Sequence, residues 1–84
     1  MSNLGDVVGV VVRALVDRPQ AVKVTETQHG AMTLIEVFAA PDDVGKLIGR
    51  QGRTVAALRT LLGATANRLG KNATLEIRDA PARD

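Results

Sequence analysis

The sequence has no cysteine, no tryptophan and no tyrosine, and Phe38 is its only aromatic residue. Without cysteine the chain can form neither a disulfide framework nor a thiolate metal site, and the single His29 cannot complete a histidine-based one. We therefore expect no metal and no other cofactor. The scarcity of aromatic side chains also excludes the stacking platforms that RRM and OB-fold proteins use to hold bases.

Targeting and catalytic signals are missing as well. The N-terminus lacks the basic segment and cleavage site of a signal peptide, and Arg13 and Asp17 interrupt the only long apolar run. The segment Gly45–Gly52 does not match the Walker A pattern, and no nucleophile and base stand at a familiar spacing. These absences predict a cytoplasmic protein that contacts no membrane and is not an enzyme.

The length of 84 residues limits the chain to one small domain. The last apolar alternation ends near Arg78, and Ala80–Asp84 contributes nothing to a core. We expect a single domain over residues 1–79 and a flexible C-terminal tail over residues 80–84.

Positive charge is concentrated in one part of the chain. Residues 1–43 carry three basic and six acidic side chains, whereas residues 44–75 carry six basic and no acidic ones. Such an asymmetry indicates an anionic partner, with nucleic acid or a membrane surface first among the candidates. The alternative is a solvated helix face that happens to be basic.

The spacing of apolar residues predicts an α+β fold. The predicted elements are a helix from Leu4 to Leu15 capped by Ser2 or Asn3, a strand over Ala21–Thr27, a turn over Gln28–Gly30, a strand over Met32–Ala39, a helix from Pro41 to about Ile48, a helix from Gly52 that stops at Gly70, and a strand over Ala73–Arg78. We expect a three-stranded mixed sheet, with Met32–Ala39 in its centre and three helices packed on one face.

The segment Gly49-Arg50-Gln51-Gly52 joins the second and third predicted helices. Glycine lets a phosphate approach the backbone closely, and the N-terminus of the following helix favours negative charge. Lys46 and Arg53 add positive charge on either side of the turn. A plain glycine turn between two helices is the alternative interpretation.

Leu47–Val55 resembles the signature of the KH RNA-binding domain, in which Ile-Gly-x-x-Gly follows an aliphatic residue and another aliphatic residue comes three positions after the last glycine. The predicted order α-β-β-α-α-β resembles the type II arrangement of this family. The length resembles small bacterial single-domain KH proteins of the KhpA type. The resemblance covers nearly the whole chain.

The resemblance implies that the loop clamps single-stranded RNA with low sequence specificity while an adjacent aliphatic groove meets the bases. The implied RNA-binding residues are Lys46, Ile48, Gly49, Arg50, Gln51, Gly52, Arg53, Thr54, Val55 and Lys71. The loop around Lys71 and the last strand would form the far wall of the groove. For Val55, core packing is an equal alternative. Single-stranded DNA offers the same phosphates and stays open as a partner.

One KH domain with a single aromatic residue is expected to bind loosely, so a second copy or a partner would be needed for useful affinity. The family resemblance implies a homodimer, or a heterodimer with a larger KH-containing RNA-binding protein, in an RNA chaperone or post-transcriptional regulator. Small residues that could let another backbone approach are Ala56, Ala57, Gly63, Ala64 and Ala66. The alternatives are that these residues pack on the protein's own sheet, and that a degenerate KH fold serves as a protein-interaction module without RNA. Arg50 and Gln51 favour RNA, because an acid there would repel phosphate.

Overall fold

The computed structural model describes residues 4–80 and confirms the predicted order of helices and strands. Its elements are α1 (Leu4–Leu15), a short 3-10 turn (Pro19–Ala21), β1 (Lys23–His29), β2 (Met32–Ala39), α2 (Pro41–Ile48), α3 (Gly52–Arg68) and β3 (Asn72–Asp79). The 3-10 turn was not predicted. Within these residues no helix combines the length and apolar character needed to cross a membrane.

The sheet has the strand order β1-β2-β3, with β2 antiparallel to β1 and parallel to β3. Ile35, at the middle of β2, lies opposite Glu26 of β1 and Leu75 of β3. The prediction of a mixed sheet with Met32–Ala39 in its centre is therefore confirmed. Because β2 and β3 are parallel, α2 and α3 form the crossover between them, and the turn between these helices lies near β3, since Gly52 and Ile77 line one cavity.

The core lies between one face of the sheet and the three helices. Along β2, buried and half-buried residues alternate, so that Ile35 and Val37 point into the core while Glu36 lies on the opposite face. The buried apolar cluster consists of Val8, Val12, Val22, Ile35, Val37, Ala39, Leu47, Val55, Leu58, Leu62 and Leu75. Every helix contributes to this one cluster, which agrees with the prediction of helices on a single face.

The β-branched segment of α1 is helical because burial outweighs local preference. Val8 and Val12, four residues apart, are both fully buried. Burying such a side chain is worth roughly 1.5–3 kcal/mol, which exceeds the few tenths that separate valine from better helix formers. Tertiary packing therefore determines the conformation of this segment.

The hairpin turn lies further along the chain than predicted. His29 is still part of β1 and pairs with Met32, so the turn consists of Gly30 and Ala31. Gly30 has φ +62°, the left-handed conformation that such a tight turn requires. The predicted turn over Gln28–Gly30 is thus wrong, and His29 is a strand residue.

The two ends of the chain are described only in part. The predicted caps Ser2 and Asn3, and the tail residues 81–84, lie outside the described residues. Ala80 donates its backbone N–H to the carbonyl of Ala39 at 2.7 Å, so the last described residue is still bonded to β2. The boundary after residue 79 stays a prediction.

Candidate nucleic-acid interface

Backbone hydrogen bonds alone shape the turn between α2 and α3. Gly49 donates its N–H to the carbonyl of Gly45 at 2.9 Å, Gln51 to that of Lys46 at 2.8 Å, and Gly52 to that of Gly49 at 3.0 Å. These bonds lead the chain from the last turn of α2 directly into α3.

The two glycines of this turn differ in what they do. A Cβ added to Gly49 would lie 3.1 Å from the carbonyl oxygen of Gly45, closer than most Cβ contacts in proteins, so this backbone carbonyl would have to shift slightly. A Cβ added to Gly52 would meet no atom within 4 Å. Among the described residues only Gly30 and Gly70 have positive φ, so Gly52 is not required by its backbone conformation either. Its missing side chain leaves open space beside the start of α3.

The first turn of α3, which begins at Gly52, carries unbonded donors. Val55 donates its N–H to the carbonyl of Gln51 at 3.0 Å, and the side chain of Gln51 does not cap the helix. Within residues 4–80 no protein acceptor meets the N–H groups of Arg53 and Thr54. Free N–H groups and the positive end of the helix dipole together favour an anion.

The positive charges around the turn are not equally available. Arg50 and Arg53 are exposed, and neither forms an ion pair with another described residue. The Nζ atom of Lys46, by contrast, lies 2.8 Å from Oδ2 of Asp17, and the Lys46 side chain is only 21% exposed. The hydrogen bond from Lys46 and its charge, with a smaller effect of Arg50, hold the pKa of Asp17 below its usual 3.8. The sequence pattern gave no sign that Lys46 is paired.

A buried carboxylate brings Asp17 to this position. Asp43 is 2% exposed, and its Oδ1 and Oδ2 accept the backbone N–H groups of Asp17 at 3.1 Å and of Arg18 at 3.0 Å. Asp43 also lies in the first turn of α2, where a negative charge complements the helix dipole. Asp43 fixes the segment after α1 against α2.

An apolar groove opens next to the turn, between α2, α3 and β3. It has a volume of about 300 Å³ and is lined by Leu47, Ile48, Gly52, Val55, Arg59 and Ile77. Ile48 is 66% exposed and is free to contact a ligand, whereas Leu47 and Val55 belong to the buried cluster and form the floor of the groove. Both interpretations of Val55 thus apply, since it packs in the core and also lines the groove.

Arg59 is a groove residue that the sequence analysis missed. It lines the first cavity and also a second one of about 190 Å³, which it shares with Leu62, Ala73, Thr74 and Leu75. Its Nε donates to the carbonyl of Leu75 at 3.4 Å, so the side chain crosses from α3 to β3. The sequence feature that could have indicated it is its position directly after Leu58, beside the apolar stripe of α3.

Lys71 does not lie with the other predicted site residues. Its backbone N–H donates to the carbonyl of Ala66, at the C-terminal end of α3. Because α3 has 17 residues that rise 1.5 Å each, this end is about 25 Å from Gly52. Near the turn the far wall of the groove is Ile77 of β3. Arg68 and Lys71 therefore lie at the other end of α3, away from the Gly-x-x-Gly turn, and Lys71 does not form the far wall of the groove there.

An α-β-β-α-α-β chain whose second and third helices are joined by Gly-x-x-Gly beside an aliphatic groove is a type II KH domain. The comparison with protein families makes this more specific. The family described as "KhpA/KhpB, KH domain" matches residues 5–77, and the chain belongs to this family.

Curated relatives span nearly the same length as this chain. The RNA-binding protein KhpA of Caldanaerobacter subterraneus subsp. tengcongensis is 43% identical over 74 residues, which cover 88% of this chain and 99% of that protein. The RNA-binding protein KhpA of Aquifex aeolicus is 43% identical over 77 residues, or 92% and 98% of the two chains. That of Halalkalibacterium halodurans is 44% identical over 69 residues, or 82% and 91%. No solved structure matches the chain at a significant level.

Proposed function

We propose that this protein binds single-stranded RNA, with the sugar-phosphate backbone at the Gly-x-x-Gly turn and the bases in the adjacent groove. The observation that carries the proposal is the pair of free N–H groups of Arg53 and Thr54 in the first turn of α3, directly after Gly52, where a Cβ would meet open space. The charges of Arg50 and Arg53 flank this space. The names of the relatives as RNA-binding proteins support the same conclusion.

Most of the affinity would come from phosphate contacts and would not depend on sequence. The groove has no aromatic side chain on which a base could stack, so each nucleotide contributes little. The logarithm of the association constant should therefore fall linearly with the logarithm of the salt concentration. The expected slope is about −0.7 for each neutralised phosphate. Loose binding of this kind suits an RNA chaperone or a post-transcriptional regulator.

The test is a titration of short single-stranded RNA with the wild type and with the double variant Arg50→Asp, Gln51→Asp. Both side chains project from a turn that backbone bonds hold, so the fold should survive while RNA binding is lost. The matched control is Asn67→Asp, Arg68→Asp, which makes the same change of residue types and charge at the other end of α3. Equal loss in both variants would show that net charge, and not the turn, determines binding.

Two alternatives are decided by the same titration. A DNA strand of identical sequence tests whether the 2′-hydroxyl matters, because phosphates alone do not distinguish the two nucleic acids. If the wild type binds neither strand, the domain acts as a protein-interaction module that has kept the KH shape without the ligand.

A homodimer through α3 is the second part of the proposal. Ala57, Leu61 and Ala64 are exposed and recur at i, i+4 and i+7, so they share one face of the helix, and Leu61 is 64% exposed. Ala66, which the sequence analysis grouped with them, is fully buried in the protein's own core. The larger KH-containing partner implied by the family resemblance could use the same face.

Light scattering over a range of protein concentrations tests the dimer. We expect the mass of the wild type to rise toward that of a dimer, and Leu61→Asp to stay monomeric because a charge cannot be buried in the interface. Thr60→Asp is the control, since its exposed side chain lies next to this face. A monomeric wild type at the highest concentration contradicts the proposal.

A further inference from the structure

Arg59 lies between α3 and β3, where it lines two neighbouring cavities. Among the described residues it is the one that lines both the cavity of about 300 Å³ beside the turn and the cavity of about 190 Å³ further along. The proposed phosphate contacts at the turn use neither Arg59 nor the second cavity. This side chain therefore needs a separate explanation.

The guanidinium of Arg59 keeps most of its hydrogen-bonding capacity. An arginine carries five N–H donors, and the Nε of Arg59 uses one in a long bond of 3.4 Å to the carbonyl of Leu75. Within residues 4–80 no carboxylate and no second acceptor meets this guanidinium. Arg78, on the same strand as Leu75, shows the contrast, since it is paired with both Glu36 and Glu76.

The position of Arg59 favours contact with a base over contact with a phosphate. Arg59 lies five to six residues beyond the free N–H groups of Thr54 and Arg53, or about 8–9 Å along the helix, and the bond from its Nε to the carbonyl of Leu75 turns the side chain toward β3. Apolar side chains line both cavities beside Arg59. They include Val55 and Ile77 in the cavity near the turn and Leu62 in the second cavity. An uncharged, flat ring fits these walls, whereas a phosphate would lose hydration there without compensation.

Building on the RNA binding proposed above, we propose that Arg59 is the specificity-determining residue of the groove and that it selects guanine or cytosine over adenine or uracil. The guanidinium can only donate, so two adjacent donors need two adjacent acceptors. Guanine offers O6 and N7, and cytosine offers O2 and N3. Adenine has the N6 amino donor next to N7, and uracil has N3–H between its two carbonyls. Neither base therefore offers the two adjacent acceptors that the guanidinium needs.

The test compares uridine strands that carry a central guanine, cytosine or adenine. The wild type should bind the guanine or the cytosine strand at least about fivefold more tightly than the adenine strand and an all-uridine strand, the lower limit for a bidentate arginine contact. Arg59→Lys keeps the charge and loses the planar pair of donors, so it should bind all strands alike. Arg68→Gln, which removes one charge from the same helix outside the cavities, should weaken binding while keeping the preference.

Three results separate the possibilities. Equal affinity of the wild type for all strands, or an unchanged preference in Arg59→Lys, overturns the role of Arg59 and leaves RNA binding at the turn intact. Uniform weakening in Arg59→Gln with no change of preference assigns Arg59 to a phosphate and also overturns the proposal. Absence of binding to any strand is the failure of the proposed function itself. Circular dichroism of each variant excludes loss of the fold as the cause.

Discussion

Lys46 and Asp17 form an ion pair of 2.8 Å beside the Gly-x-x-Gly turn, so one of the cations nearest the proposed phosphate site already has an anion within the protein. Asp43 holds the backbone of Asp17 in place through a hydrogen bond of 3.1 Å, so the pair is part of the fold. RNA must therefore bind next to a fixed negative charge.

Removal of that charge should strengthen RNA binding. In Asp17→Asn the backbone bond to Asp43 can remain, while Lys46 gains freedom to contact a phosphate. Because Asp17 is 77% exposed, the gain is expected to be modest, up to about fivefold, the range of surface ion pairs. A titration with short RNA measures it. The control Asp42→Asn removes an equal exposed charge from the first turn of α2, and an equal gain in this variant would assign the effect to net charge.

The pH dependence of this gain follows from the pKa of Asp17. Lys46 lowers this pKa below 3.8, so the Asp17 charge is present above that pH and is lost only as the pH falls through the lowered value. The difference in RNA affinity between the wild type and Asp17→Asn should therefore stay constant from neutral to mildly acidic pH and be lost only as the pH falls below 3.8. A gain that already vanishes near neutral pH would mean that a group other than Asp17 controls it.

The carboxylate of Asp43 should matter for stability. In Asp43→Ala the N–H groups of Asp17 and Arg18 lose a buried charged acceptor, which is expected to cost about 2–4 kcal/mol of unfolding free energy. Denaturant unfolding followed by circular dichroism measures this cost. Asp42→Ala, at an exposed position one residue away, should stay within about 0.5 kcal/mol of the wild type. Similar values for the two variants would show that the buried bonds contribute little.

Substitutions of the two glycines of the turn should affect RNA affinity and stability differently. Gly52→Ala places a methyl group in open space, so the unfolding free energy should be unchanged or higher by up to about 1 kcal/mol, while RNA affinity falls because the methyl group blocks the phosphate. Gly49→Ala should lose stability, because its Cβ would lie 3.1 Å from the carbonyl of Gly45. Thermal unfolding and RNA titration of both variants test this. Full RNA affinity in Gly52→Ala would contradict the approach at this point.

The fold could be predicted because its signals are local. Apolar spacing marked α1 and α3, alternation marked β1 and β3, an apolar run marked β2, and Gly70, with φ +73°, ended α3 where expected. The hairpin turn was misplaced because His29 and Gly30 both suit a turn, and only the pairing with Met32 assigns His29 to the strand.

The site was predicted less completely, since its chemistry depends on residues distant in sequence. The turn residues were found because a motif of nine neighbours carries them. Asp43 bonds to a backbone 26 residues away and Lys46 pairs with a side chain 29 residues away, and no local pattern reports either contact. Arg59 was missed for the same reason, because its relation to Leu75 exists only after β3 has folded against α3.

The turn between α2 and α3 is held entirely by main-chain bonds, and the side chains of Arg50 and Gln51 form no hydrogen bond with any described residue. Both positions can therefore change identity without cost to the architecture. A designer could vary these two residues to raise or lower the attraction for a nucleic-acid strand over a wide range while the scaffold stays the same.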